Sequence, residues 1–495
     1  MFWNIVSASE QLGDIQLMKN SLMESLKLDS SSVNIKARMK LCEVAGKLND
    51  FDLIERFAPE LLYGEQTKLP AILLLIKAAT ANFDKIKALS YLSELEKLIQ
   101  KLQPQTIAFI IHSYLKLNEI PSAERVLNEV EIKYQNELWF KVLLGVLCNY
   151  KKDFRRTKQI LKEGNINDLP SWFGEKELLF VTLGKAYDQL KDFDNSFNCF
   201  ELMAKSYQKK YIGFNKYNVV EAYNKLDFNK LKLNKLYNAK SPVFMLGFPR
   251  SGTTLLETIL DTHKKIETLS EPNTISTVVE EIIKIAQDKD YPQYLSKLTE
   301  KDIINLQKVY FECVENALGK PLNSQVFIDK MPLYTVYIPV IKLLFPNAKF
   351  IINIRHPLDV ILSNFQQNYT LNNEMAFLFS IDDCAKRYQE VMGFLEKMEN
   401  IYELDSITIR YEDLIENLSS SAKSLFNFLG VKSIPEAEKF YQHAKKKVIN
   451  TPSSSQVSQP LYQASKYKWK NYQKQLSQYL LELNYFIEKY GYLDK

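Results

Sequence analysis

The segment SPVFMLGFPRSGTTLLETIL holds the residues of this chain best suited to chemistry. Gly247 and Gly252 bracket a short loop that carries Arg250 and Ser251, and Thr253 and Thr254 open the segment that follows. Glycines let successive backbone N–H groups turn toward an anion, and a helix starting there adds its positive end. The loop is therefore read as a cradle for a phosphate-like group. Nucleotide-hydrolysing P-loops share the glycine spacing but place Lys after the second Gly, followed by Ser or Thr for magnesium. Here Thr253 stands in that Lys position and Arg250 carries positive charge inside the loop, which argues against an ordinary ATPase or GTPase. Lys330 in VFIDKMP, Arg355 in IINIRHP and Ser363 further on also fit anion chemistry. A guanidinium fork beside a hydroxyl suits a second phosphate. Of the 64 Lys and Arg residues only nine are Arg, so an Arg kept at such a place points to its planar donors and not to charge alone.

These residues need elements to position them. The apolar run 243–246 is too short for a helix and reads as a buried strand, and LLETIL continues as a helix. Further on, strands are predicted at 326–328 and 349–354, separated by a helical pattern over 332–345. That is a strand–helix–strand unit and implies parallel strands. Lys330 and Arg355 are then expected just past strand carboxyl ends, the edge at which open parallel sheets bind ligands. Ser363 would sit about two turns down the next helix, near the same side. SITIRYEDLIENL supplies one more strand and helix start.

With PRSGTT after a strand, DK-P before a helix, FPNAKFI, IRHPLDVILS and RYEDL in order, residues 240–490 resemble sulfotransferases that use 3′-phosphoadenylyl sulfate. They are most similar to tetratricopeptide-fused bacterial members and to tyrosylprotein sulfotransferases. The resemblance implies that Arg250, Ser251, Gly252, Thr253 and Thr254 cradle the 5′-phosphosulfate and that Arg355 and Ser363 hold the 3′-phosphate. It implies that Glu271, 21 residues after Arg250 in TLSEPN, is the base. Lys330 would neutralise the leaving bridging oxygen, and Ser453, in a run of three serines, would lie near the sulfonate. The chain departs from the pattern at Ser458, where relatives often carry Arg. No metal is implied, because the transferred group carries less charge than a phosphoryl group. From the residues alone, Glu271 could instead cap the turn at Pro272. His263 and His356 read as local structure, and Trp469 and Tyr462 as either pocket or core.

The first half of the chain carries no such residues. Apolar positions recur at helical spacing, and a turn signal, Asn/Lys–Asp/Glu–large apolar, returns at Phe51, Phe83, Ile120, Phe154 and Phe193. The period resembles the roughly 34-residue tetratricopeptide helix–turn–helix, clearest over 105–205. The alternative is an irregular helical bundle. The expected organisation is a helical-repeat solenoid over 1–235 followed by an α/β sulfotransferase domain with a parallel sheet over 240–495. The array would offer a surface for a peptide or protein partner.

Bulk properties narrow the function classes. At 495 residues the chain is too long for one core. A formal net charge of +5 is too small to argue for nucleic acid. Five dispersed cysteines without a CxxC pair read as reduced thiols, not a disulfide framework or a zinc site. Neither a basic leader with an apolar run nor a membrane-length apolar stretch is read, so a cytoplasmic location is expected. The acceptor is left open between a protein or peptide, a small molecule and a glycan. Two rival functions also stay open: a kinase-like enzyme using magnesium-ATP, and an inactive repeat-based binding module.

Overall fold

The computed structural model describes residues 6–7, 9, 15–28, 34–48, 50–82, 84–210, 218–231, 241–287, 291–369, 375–444, 457, 459, 461 and 465–493. They form two compact units, Met1–Leu190 and Lys191–Lys495.

The first unit is helical: Ile15–Leu28, Ile35–Leu48, Phe51–Phe57, Lys68–Ala81, Lys85–Glu96, Pro104–Lys116, Ile120–Tyr134, Leu138–Tyr150, Phe154–Leu161 and Leu178–Gln189. Neighbours in sequence pack together in pairs, and Leu138–Tyr150 also packs on Pro104–Lys116 and on Leu178–Gln189. The recurring turn signal has a physical basis. Asn118 and Lys152 adopt the left-handed conformation that stops a helix, with φ of 58° and 61°. Asp50, Asp84 and Asp153 then cap the next helix by accepting from the backbone N–H three residues on. After Asp50 and Asp153 the apolar residue that follows, Phe51 or Phe154, opens the new helix, whereas after Asp84 the helix opens at Lys85. Gly145 lets two helices approach: a Cβ there would lie 2.7 Å from the Leu161 side chain and 3.3 Å from Thr182 Cγ2. Among the described residues no helix is long and apolar enough to cross a membrane.

The second unit is built on five parallel strands, β1 Val243–Gly247, β2 Ile266–Ser270, β3 Val326–Lys330, β4 Lys349–Ile354 and β5 Ser406–Arg410. Their order is β2-β3-β1-β4-β5. β1 is buried along its whole length, as a central parallel strand covered on both faces must be. Alternate residues feed two cores. Val243, Met245, Ile328 and Ile351 join Leu256, Ile259, Leu425 and Phe426 on one face. Phe244 packs on Tyr310, Phe345 and Phe350 on the other. The register brings Ser270 opposite Lys330, Gly247 opposite Asn353 and Ile354 opposite Arg410, so the carboxyl ends of all five strands share one edge.

Compactness divides the chain at 190/191, earlier than the 235–240 boundary read from the sequence. The helix Phe193–Lys210 belongs with the second unit because Phe197 and Phe200 pack on Phe365, and Ser196 shares a hydrogen bond with Tyr472. The change to an α/β pattern near 240 thus falls inside that unit. The other strand and helix expectations hold with small shifts. β3 runs two residues further than predicted, which makes Lys330 its last residue, not the one beyond it. The 332–345 segment begins as a tight 3₁₀ turn before its α-helix.

One strand residue carries a stability prediction. Asp329 is fully buried on β3 and accepts from Thr274 Oγ1 at 2.7 Å and Tyr310 OH at 2.9 Å. Burial pushes its carboxyl from 3.8 to about 7, despite those two bonds. An acid with a raised folded value stays protonated in the native state after the unfolded chain has ionised. Native stability therefore falls as pH rises from about 4 to about 7 and is then level. Asp329→Asn removes that titration. The variant is expected to gain on the parent by ~3 kcal/mol between pH 4.5 and pH 7.5, read from urea midpoints at the two pH values. A constant difference would refute it.

Candidate active site

The loop after β1 keeps both of its glycines for steric reasons. Gly247 has φ +148°, and a Cβ there would sit 2.5 Å from the Asn353 carbonyl oxygen. Gly252 has φ +100°, and its Cβ would meet the Tyr411 ring at 2.6 Å. Arg250 itself holds φ 71°, a costly conformation for a side-chain-bearing residue. The neighbouring elements enforce it. Asn364 Nδ2 donates to the Pro249 carbonyl at 2.9 Å, and Tyr369 OH holds Asn364 Oδ1 at 2.6 Å. The Gly247 N–H donates to Thr335 Oγ1 at 3.0 Å. The helix Thr253–Leu260 starts directly behind Gly252, so its first-turn N–H groups and positive end face the loop. Ser251 is 1% exposed and its Oγ has no hydrogen-bond partner among the described residues. A buried hydroxyl without a partner is costly, and an anion oxygen in the loop would satisfy it.

Arg250, Arg355 and Ser363 come together. Arg250 Nε donates to Ser363 Oγ at 3.1 Å, and Arg355 Nη1 donates to the Arg250 carbonyl at 3.3 Å. Arg355 follows β4 and is buried. Its Nη2 donates to the Ser465 carbonyl at 2.5 Å and pairs with Asp359 at 3.5 Å, and its guanidinium lies 4.9 Å from the Tyr411 ring centre. Burial pushes the Asp359 carboxyl up to about 6, with Arg355 pulling it back. Ser363 and Asn364 lie on the helix Pro357–Phe365, which thus braces loop and arginines at once.

Lys330 forms a second group. It is fully buried, with Nζ 2.8 Å from Glu271 Oε1 and 3.3 Å from Glu257 Oε2. Burial works against its charge, but Glu257 and then Glu271 outweigh that and hold the ammonium above its ordinary value. Glu271 sits just past β2, where its N–H donates to the Lys330 carbonyl at 2.7 Å. Tyr334 OH donates to the next carbonyl, of Pro272, and accepts from the Ile275 N–H, so the turn is pinned. The Glu271 side chain is 40% exposed, whereas that of Glu257 is 11% exposed. Burial, above all, pushes the Glu257 carboxyl up.

Nine of the ten predicted site residues are described, and all nine lie at the carboxyl edge of the sheet or on the helices leaving it. Ser453 lies outside the described residues, as do Ser458 and Tyr462. His263 accepts from the Lys265 N–H and packs on Phe426. His356 caps its helix and stacks on the buried Trp469 at 5.0 Å, and burial pushes its ring down to about 3. Both act as local structure. Sequence reasoning missed Glu257, Asp359 and Asn353. Asn353, the last residue but one of β4, is 1% exposed and neither of its amide atoms has a hydrogen-bond partner among the described residues, an orphan that belongs with the Ser251 hydroxyl. Among the described residues no three His, Cys, Asp or Glu side chains converge on one point.

Residues 242–436 match the family model described as sulfotransferase family. The chain is 26% identical over 255 residues to protein-tyrosine sulfotransferase A of Caenorhabditis elegans, covering 47% of this chain and 62% of that one. Over residues 242–436 the chain is thus similar to the sulfotransferase family, and the relatives it resembles include protein-tyrosine sulfotransferases. An uncharacterized protein of Aquifex aeolicus is 29% identical over 315 residues, covering 60% of this chain and 40% of that protein. The chain thus spans between 40% and 62% of the length of these two curated relatives. The solved sulfotransferase domain of the Synechococcus PCC 7002 olefin synthase is 20% identical, with a TM-score of 0.35, covering 48% of this chain and 90% of that domain. Within the second unit, the matched stretch runs from the start of β1 past β5 and includes the loop 247–254 together with Glu257, Glu271, Lys330, Arg355 and Ser363.

Proposed function

We propose that this chain transfers a sulfonate group from 3′-phosphoadenylyl sulfate to an acceptor hydroxyl. One observation carries the reading: two of the chain's rare arginines and a serine meet at a glycine loop that opens a helix, on the same sheet edge as a buried lysine between two carboxylates. A donor with anions at both ends of a ribose needs two anion sites near one another. The loop Arg250–Thr254, with its backbone N–H groups and the Ser251 hydroxyl, suits the 5′-phosphosulfate. Arg355 and Ser363 suit the 3′-phosphate. Loop and arginines are fixed before binding, so they stabilise charge without reorganising.

The chemistry follows from the same parts. The acceptor oxygen forms a bond to sulfur as the bond from sulfur to the bridging oxygen breaks. The acceptor proton passes to Glu271, the exposed carboxylate of the pair, a contribution on the order of 10²–10⁴-fold. The electron pair leaves with the bridging oxygen, and the Lys330 ammonium meets that charge. Thr253 stands where a magnesium-nucleotide loop needs Lys, which disfavours the kinase-like reading. The acceptor is a tyrosine hydroxyl of a peptide or protein, a small-molecule hydroxyl or a glycan. The relatives' names favour tyrosine. The helical unit, read as a tetratricopeptide-like array, is the natural surface for a protein partner, and the free cysteines suit a cytoplasmic enzyme.

Calorimetric titration tests the reading. Adenosine 3′,5′-bisphosphate is expected to bind without magnesium with Kd on the order of 1 µM, about −8 kcal/mol. Preference for magnesium-ATP would overturn it. Donor-dependent sulfonate incorporation across tyrosine peptides, lipids and sugars then identifies the acceptor.

A further inference from the structure

We propose that Glu257 is a positioning residue for sulfonate transfer, sharing the Lys330 ammonium with Glu271 so that Glu271 stays free to take the acceptor proton. The inference rests on the function proposed above.

The two carboxylates that face Lys330 differ in every respect. Glu257 lies on the helix Thr253–Leu260, is buried, and accepts from Ser270 Oγ at 3.1 Å. Glu271 lies in the turn after β2, at φ 50°, and is open to solvent. Lys330, fixed by the end of β3, has no exposed surface. Glu257 is therefore the fixed partner and Glu271 the accessible one. Among the described residues these three meet the Ser270 hydroxyl, while Tyr369 interacts electrostatically with Glu271 and the buried Asp329 with Lys330.

The count of charges explains why two carboxylates are needed. With Glu271 alone beside it, the buried ammonium would stabilise the carboxylate form and oppose protonation of the base. Once Glu271 did take a proton, Lys330 would be a buried cation with no partner, the arrangement least tolerated in an interior. With Glu257 present the trio carries one net negative charge before the proton arrives and none after. The ammonium keeps a charged partner throughout, so it holds both its charge and its place for the leaving oxygen. The same helix begins at the anion loop, so Glu257 also ties the lysine's position to the element that would hold the donor.

The test is Glu257→Gln in the full chain. Glutamine matches the shape and keeps an acceptor for Ser270. Turnover is measured as release of adenosine 3′,5′-bisphosphate from 3′-phosphoadenylyl sulfate, with a tyrosine peptide as acceptor and with water alone. Expected are a fall in kcat on the order of 10–100-fold, nucleotide affinity within about threefold of the parent, and an acid limb of the kcat/KM profile moved to lower pH. Glu257→Asp, which keeps the charge but withdraws it from Lys330, should show the same changes at smaller size and covers the case in which the glutamine variant does not fold. A parent-like rate and pH profile in either folded variant overturns the proposal. So does a rate loss matched by an equal loss of nucleotide affinity, since that is damage to the loop helix. A parent chain that transfers nothing to water, to a tyrosine peptide or to any lipid or sugar of the acceptor screen overturns the proposed function and this inference together. An active parent with an unaffected Glu257→Gln variant overturns the inference alone.

Discussion

Replacing Arg355 with alanine is expected to weaken adenosine 3′,5′-bisphosphate binding by roughly 100-fold, or ~3 kcal/mol, with KM for the donor rising in step and kcat changing less. The guanidinium is already oriented by four contacts: the Arg250 and Ser465 carbonyls, Asp359 and the Tyr411 ring. A fork held this way presents its remaining donors at little entropic cost, and two charge-assisted bonds to a phosphate account for the expected loss. Arg355→Lys keeps the charge but not the fork, so it should fall between, near tenfold. The alanine variant also strips the counter-charge from buried Asp359 and will be less stable on that account. The double variant Arg355→Ala with Asp359→Asn separates the effects: stability should recover and affinity should not. Calorimetric titration of the three proteins decides it. An Arg355→Ala protein with parent affinity removes the 3′-phosphate assignment.

The parts of this site that could be read from sequence are those with a local cause. Gly247 and Gly252 are required where they stand because the backbone there has positive φ and a neighbour within 2.6 Å of any Cβ, and such constraints leave a fixed spacing. Arg250 and Arg355 stood out in a chain that uses Lys for ordinary charge. The turn signal of the helical unit was legible for the same reason, since a left-handed residue followed by a capping Asp is a matter of three consecutive positions. What could not be read has a distant cause. β2 is short, and four of its five residues are not fully buried, so IETLS carries no strand signal until it pairs with β3. Glu257 looks like any helical surface acid until that pairing sets Ser270 opposite Lys330 and closes the sheet edge over it. The helix Phe193–Lys210 continues the repeat pattern in sequence, and it is assigned to the second unit by long-range contacts such as the rings of Phe197 and Phe200 against Phe365 and the Ser196–Tyr472 hydrogen bond.

Lys330→Met should have the largest effect on turnover, a loss on the order of 10³-fold or more, with nucleotide affinity within a few fold of the parent. Methionine fills the fully buried space of the lysine stem but brings no charge to the leaving oxygen. Loss of one preorganised electrostatic contact of this kind typically costs 10²–10³-fold, and here the base loses its organising partner as well. The same variant has a stability signature of definite sign. Glu257 and Glu271 would face each other across the vacated ammonium position, and like charges in a buried site raise one another's proton affinity. The Glu257 carboxyl, already above its ordinary 4.5 through burial, would rise further. A carboxyl raised in the folded state costs nothing while the unfolded chain is also protonated. It costs progressively more as pH climbs from the unfolded value toward the raised folded one. Relative to the parent, Lys330→Met should therefore melt at nearly the same temperature near pH 4 and several degrees lower at pH 8. Adding Glu257→Gln to the variant should recover the melting temperature and leave turnover lost. Parent-like turnover in Lys330→Met would move the leaving-group role elsewhere. A melting deficit that is uniform with pH would mean that the lysine contributes packing, not charge balance, to the two carboxylates around it.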